Sequence, residues 1–164
     1  MRAILFGLHN HLAASCSLFF LLFLAGMVTA QDITVNNNLV FGPVFSGIPK
    51  IIAKTVAGEA AEFQITGTAG AEISLEFALP SYMHTNGANM RMVFSATDCA
   101  LDSSATPNQT NPPVTDLNPY QTITYRLGST GVTIWLGATV IPAVSQKPGD
   151  YDATITLTVA YTGN

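Results

Sequence analysis

Between Tyr151 and Thr162 the chain changes character at nearly every residue. Tyr151, Ala153, Ile155, Leu157, Val159 and Tyr161 take one parity, and Asp152, Thr154, Thr156, Thr158 and Thr162 take the other. A period of two sends alternate side chains to opposite faces of a pleated strand, whereas a helix would spread the same residues around its axis. The segment therefore predicts a long strand with one buried face. Threonine strengthens the expectation, because its branched Cβ suits a pleated surface and loses rotamer freedom in a helix. Eighteen threonines lie between Gln31 and Asn164, so this chemistry pervades the chain.

The same alternation recurs in Glu62–Thr66 and Glu72–Phe77, and the turn-forming residues Thr66–Ala71 between them predict a hairpin. Further strands are expected at Ile33–Val35, Leu39–Phe41, Ile51–Val56, Met90–Ser95, Thr122–Leu127 and Val132–Val140. Gly128–Gly131 reads as a tight turn joining the last two, and Gly137 as a bulge or a close backbone approach. Gly, Pro, Thr and Val interrupt every helical stripe. The expected fold class is all-β, a single antiparallel sandwich or barrel. Asp98–Pro119, rich in Asp, Ser, Thr, Asn and Pro, reads as a long loop. Loops beyond about 12–15 residues are uncommon in compact domains and tend to be functional or disordered. It is the best candidate surface for meeting another molecule, with a partnerless insertion as the competing reading.

The first thirty residues follow a different rule. Arg2 is the sole cation before Lys50, Ser17–Val28 is an uncharged run rich in Leu and Phe, and Val28-Thr29-Ala30 ends it with small residues. That layout predicts a secretory signal peptide over 1–30, cleaved before Gln31, and one β domain over 31–164. An uncleaved anchor is the alternative, since about 20 apolar residues span a bilayer, but no cationic stop-transfer flank follows. Cleavage leaves 134 residues and moves the formal net charge from -4 to -5. The expected location is outside the cytoplasm, in the periplasm, at the cell surface or beyond, with no membrane span after cleavage.

Charge and reactive residues restrict function. Six Lys and Arg in the whole chain cannot build the basic stripe that nucleic acid requires, so no nucleic-acid partner is expected. After Ala30 there is one cysteine, Cys99, and one histidine, His84. One cysteine closes no intramolecular disulfide, and a His and a Cys fifteen residues apart match no zinc spacing. His84 precedes the Asn86-Gly87 turn signal and reads as a turn residue rather than a general base. Asp98, Asp102 and Asp116 lack the spacing of a calcium loop and read as solvated carboxylates. Cys99 between Asp98 and Asp102 reads as an unreactive thiol raised by negative neighbours. Met90 and Met92 share a strand face, and with Met83 they read as core filling in preference to a soft-metal cluster. Trp135 reads as core, and the Asn108-Gln109-Thr110 sequon as incidental. No catalytic, cofactor-binding or metal residue is assigned, no cofactor is implied, and the protein reads as a non-enzyme.

One ordered set of signals spans the mature chain: Leu39-Val40-Phe41-Gly42, Phe63-Gln64-Ile65-Thr66-Gly67, Leu79-Pro80, Met90-Arg91-Met92-Val93-Phe94, Ile134-Trp135-Leu136-Gly137-Ala138-Thr139-Val140, and Gln146-Lys147-Pro148-Gly149-Asp150-Tyr151 leading into the Thr-rich end. The set resembles the bacterial domain-of-unknown-function family 4402, and more distantly spore coat protein U and archaic chaperone–usher pilin domains. The resemblance implies an immunoglobulin-like sandwich, and in pilins such a sandwich lacks a strand until a neighbour donates one. It implies a secreted or cell-surface structural or adhesive protein, a pilus-like subunit joined by strand exchange to copies of itself or to envelope proteins. A self-contained binding module that uses the 98–119 loop is the alternative.

Overall fold

The computed structural model describes residues 31–163; the expected signal segment, 1–30, lies outside the described residues. Twelve strands follow one another: β1 (Asp32–Asn37), β2 (Lys50–Ile52), β3 (Ala61–Thr66), β4 (Glu72–Ala78), β5 (Tyr82–Thr85), β6 (Ala88–Val93), β7 (Cys99–Asp102), β8 (Val114–Leu117), β9 (Ile123–Arg126), β10 (Val132–Leu136), β11 (Ala138–Ile141) and β12 (Thr156–Tyr161). All ladders are antiparallel. They form a five-stranded sheet β1-β3-β10-β7-β8, a four-stranded sheet β2-β11-β6-β5 and a three-stranded sheet β12-β4-β9. The first sheet makes one layer of a β-sandwich. The other two make the second layer, linked where Asp152 bridges His84 just before the chain enters β12.

Glu62–Thr66 and Glu72–Phe77 form the expected strands, but they do not make a hairpin. β3 pairs with β1 and β10, whereas β4 pairs with β12 and β9. The turn at 67–71 is thus an arch that carries the chain between layers. The turn at 128–131 is a second arch, from β9 in one layer to β10 in the other. The two arches stack: the Gly70 N–H donates to the Leu127 carbonyl at 2.9 Å, and the Leu127 N–H donates to that of Ala71 at 2.9 Å. Gly131 is required here, because its φ is +88° and a Cβ would stand 2.0 Å from the Ile65 carbonyl oxygen. Across the layers, Phe63 of β3 meets Phe77 of β4 edge to face, centroids 6.0 Å apart.

Val132–Val140 is one run of chain broken at Gly137, so that β10 belongs to the first layer and β11 to the second. A Cβ on Gly137 would sit 2.5 Å from the Ile52 carbonyl oxygen, so the expected close backbone approach is present. The core lies between the layers and draws on every sheet: Ile65, Leu101 and Ile134 from the first, Met92 and Val140 from the second, Ile73, Leu75 and Val159 from the third.

Four further expectations are corrected. Leu39–Phe41 belongs to no strand, and Ile51–Val56 shrinks to Lys50–Ile52. The long C-terminal strand is shorter as a ladder: residues 153–155 keep the alternation without a ladder partner, and pairing with β4 begins at Thr156. Asp98–Pro119 is not a single loop, since its ends are β7 and β8, and β7 is buried at all four positions.

Candidate functional site

The edge strand β1 sets the geometry. Its Ile33 lies directly opposite Ile65 and its Val35 opposite Phe63, and side chains directly opposite in a ladder share a face. Ile65 and Phe63 are buried in the core, so Ile33 and Val35 point inward as well. They are nevertheless 37% and 55% exposed. The second layer does not cover them. At one end the gap is closed by the Gln31 side chain, whose Nε2 donates to the Val159 carbonyl of β12. The Gln31 Oε1 is buried there without a hydrogen-bond partner.

Away from that closure the layers separate into a groove. One cavity of about 320 Å³ lies between Val35 and Leu39 on one side and Ala153 and Ile155 on the other, with Phe63 and Met92 on its lining. A second, of about 710 Å³, extends from Leu39–Ser46 to Gln146–Tyr151, with Met83, Met90 and Val140 on its lining. Leu39, Phe41 and Met83 line both, so the two are one continuous groove.

Irregular chain bounds the groove on both sides. Residues 38–49 form no strand: Pro43 has no N–H to give a ladder, and Gly42 turns with φ +58°. Phe41 anchors this wall in the core, and the Val40 N–H donates to the Glu59 carbonyl at 2.8 Å. The opposite wall is fixed by Gln146 and Tyr151. The Gln146 Nε2 donates to the Tyr151 hydroxyl at 2.6 Å and to the Asn89 carbonyl at 3.1 Å, while its Oε1 accepts from the Ala143 N–H at 3.0 Å. The Tyr151 hydroxyl in turn donates to the Lys147 carbonyl at 2.7 Å and caps that loop. Lys147 and Asp150 place opposite charges on the same wall.

The chemically notable residues do not converge. His84 is exposed on β5 with its Nδ1 2.9 Å from Asn89 Oδ1, two residues before the Asn86-Gly87 turn. Cys99 is fully buried in β7, and burial pushes its thiol up to about 12, offset only in part by the Lys54 charge. The cause is therefore desolvation, not the acidic neighbours. The three aspartates are occupied separately. Asp98 accepts from the Ser95 N–H at 2.6 Å, and Asp116 pairs with the Lys54 ammonium at 2.8 Å, which holds its carboxyl below the usual range. Asp102 is buried, which by itself would raise its carboxyl. The backbone N–H groups of Asn108 at 2.9 Å and Ser104 at 2.8 Å outweigh that and hold it low. Asp102 is thus a structural acceptor that shapes the loop, not a solvated carboxylate.

The loop proper is 103–113. The Asn108 side chain folds back on the Thr110 and Asn111 N–H groups, and Gln109 Nε2 donates to the Lys54 carbonyl at 2.9 Å. Met90 and Met92 are buried and Met83 half-buried, all on the groove. Trp135 is buried on the face of β10 opposite Ile134 and Leu136, and its indole N–H donates to Glu62 Oε2 at 3.1 Å. Among the described residues no three His, Cys, Asp or Glu side chains gather into a metal-binding group, and no helix is long and apolar enough to cross a membrane.

The family described as a domain of unknown function (DUF4402) matches residues 25–161. The chain belongs to that family. No curated protein matches the chain. The DUF4402 match spans the whole sandwich, from before β1 to the last residue of β12. Both walls of the groove therefore lie inside the DUF4402 domain, and the groove is a feature of the domain itself. Sequence reasoning reached the residues of β1 but not the groove, because a two-anchor alternation does not disclose which face the neighbouring layer leaves uncovered.

Proposed function

We propose that the protein is a non-enzymatic structural or adhesive subunit, exported to the periplasm or cell surface, that associates with copies of itself by adding a strand to this groove. The observation that carries it is the state of Ile33 and Val35. They lie on the inward face of an edge strand, opposite buried core residues, and remain half uncovered. A strand laid between β1 and 153–155 would cover them. It would also meet two unpaired backbone edges and offer a donor for the orphaned Gln31 Oε1. Strand addition uses main-chain hydrogen bonds for affinity and alternate side-chain pockets for register. The scattered placement of His84, Cys99 and the aspartates supports a non-enzymatic reading.

The alternative use of 98–119 as a binding loop is less favoured, because deleting that stretch would remove β7 from the core. The test is the oligomeric state of the purified protein by native mass spectrometry across a dilution series. Self-association that persists on dilution is expected, and Val35→Lys abolishes it while leaving the melting temperature within about 2 °C, since surface changes cost little. A wild-type protein that is a monomer at every concentration and unfolds cooperatively overturns strand addition.

A further inference from the structure

We propose that the groove holds a soft monovalent cation, Cu(I) or Ag(I), on the thioethers of Met83, Met90 and Met92. All three methionines that follow Ala30 lie on this one groove. Their placement is set by register. Met83 of β5 pairs directly with Met90 of β6, and Met92 follows two residues later on the same face. Directly opposite Cβ atoms stand about 4.5–5.5 Å apart and diagonal neighbours about 7–8 Å. Methionine has three rotatable side-chain bonds and a polarisable sulfur, so three thioethers at that spacing can converge on one ion.

What separates these residues from ordinary core filling is the space beside them. Met83 and Met90 line the larger cavity and Met83 and Met92 the smaller, so Met83 stands where the two join. Leucine would fill a closed core at a lower cost in rotamer entropy. The ligand chemistry fixes the class of ion, because thioethers select soft cations such as Cu(I) and discriminate against calcium, magnesium and other oxygen-seeking ions. Lys147 and Asp150 line the same groove with opposite charges and give it no net attraction for a hard divalent ion. The ion binds without electron transfer and without making or breaking a covalent bond of the chain. All three ligands come from one hairpin of one chain, so the site needs no second copy to be complete.

The experiment is a titration of the full chain, carbon-13 labelled at the methionine ε-methyl groups, with silver nitrate as the redox-inert probe. The Met83, Met90 and Met92 methyl resonances are expected to shift together and to saturate at one Ag(I) per chain, with magnesium and zinc ions producing no shift. Met83→Leu conserves volume at a half-buried position and is expected to weaken binding by roughly tenfold or more, about 1.4 kcal/mol. Repeating the titration in Cys99→Ala, with folding checked by Trp135 fluorescence, excludes silver captured by the buried thiol. Absent methyl shifts, equal affinity in Met83→Leu, or binding lost with Cys99 each overturn the proposal.

Discussion

Gly137→Ala is the sharpest test of how the two layers are joined. The residue ends β10 and begins the passage into β11, and its N–H donates to the Asp98 carbonyl at 2.9 Å. An alanine Cβ would lie 2.5 Å from the Ile52 carbonyl oxygen, 2.7 Å from the Lys54 nitrogen and 3.0 Å from the Ala53 carbonyl carbon. The shortest of these is about 1 Å inside ordinary van der Waals contact. All three atoms are backbone, so no side chain can rotate away. Relief requires moving residues 52–54, which breaks the short β2–β11 ladder of Ile52, Ile51 and Lys50 against Ala138, Thr139 and Val140. Overpacking alone costs about 1–3 kcal/mol. Partial exposure of Ile52, which is buried, adds part of the roughly 1.5–3 kcal/mol that burying such a side chain contributes. A loss near 3 kcal/mol follows. At this domain size, between the ranges for small and large domains, each kcal/mol shifts the melting temperature by about 3–4 °C, so the fall is about 10 °C. Thermal unfolding followed by the single tryptophan, Trp135, two residues away, reads it directly. Gly58→Ala is the control: nothing lies within 4 Å of its Cβ, and its φ of +79° costs only about 1–2 kcal/mol. Equal shifts for the two variants, or a Gly137→Ala protein within about 2 °C of the wild type, would refute the close-packed kink.

Asp102→Asn should destabilise the protein with a distinctive pH dependence. The folded carboxyl titrates below its unfolded value of about 3.9, so its stabilisation is complete above that pH and fades as pH falls through the folded value. The melting-temperature gap between wild type and variant should therefore be widest near neutrality and close in acid; a constant gap down to about pH 2 contradicts the assignment. Cys99 should resist alkylation by iodoacetamide in the folded protein at pH 8 and react at once in denaturant, because its thiol is buried and pushed up to about 12. Fast native labelling, read by mass spectrometry, would show that β7 is accessible. Tyr151→Phe removes the hydroxyl that links Gln146 to the Lys147 carbonyl, and two such hydrogen bonds are worth about 1–3 kcal/mol together. Hydrogen exchange should accelerate at the Ala143 and Gln146 amides while β7 and β10 keep their protection.

The strands of this fold were legible wherever one face is wet and the other buried, because alternation then writes the burial pattern into the sequence. Glu62–Thr66 and Glu72–Phe77 are of that kind, whereas β10, buried at all five positions, was legible from its run of Val, Thr, Ile and Trp. β7 was hidden for the opposite reason. Cys99, Ala100, Leu101 and Asp102 are all buried, both faces are covered, and no alternation remains to be read. The arch at 67–71 was misread as a hairpin turn, and the tight turn at 128–131 did not disclose its change of layer, because Gly, Ser and Thr report that a chain reverses, not which layer it enters afterwards. Only the long-range register, β3 on β10 and β4 on β9, distinguishes the two, and that register rests on contacts 48 to 75 residues apart in sequence. The C-terminal alternation is continuous through Tyr151–Tyr161 because the same face stays inward throughout. It does not disclose that the backbone changes partner from His84 to β4 on the way.

The groove was illegible for a related reason, and its two proposed occupants are coupled by it. Ile33 and Val35 read as an ordinary edge strand, and Met83, Met90 and Met92 as ordinary core, until the register places the first pair inward and the cavities place the second set beside open space. A strand laid over Ile33 and Val35 passes along the gap that Met83 lines in both cavities. If both proposals hold, strand and ion compete for the same sulfur. Linkage then fixes the sign: an ion that binds only the open groove favours the unassociated chain by RT ln(1 + [L]/Kd), about 2.7 kcal/mol at a hundred times Kd. A strand that covers Met83 weakens ion binding by the same factor. Ag(I) would then dissociate wild-type assemblies and leave those of Met83→Leu intact, whereas Ag(I) that binds the methionines without shifting the assembly would place the added strand elsewhere than over Met83.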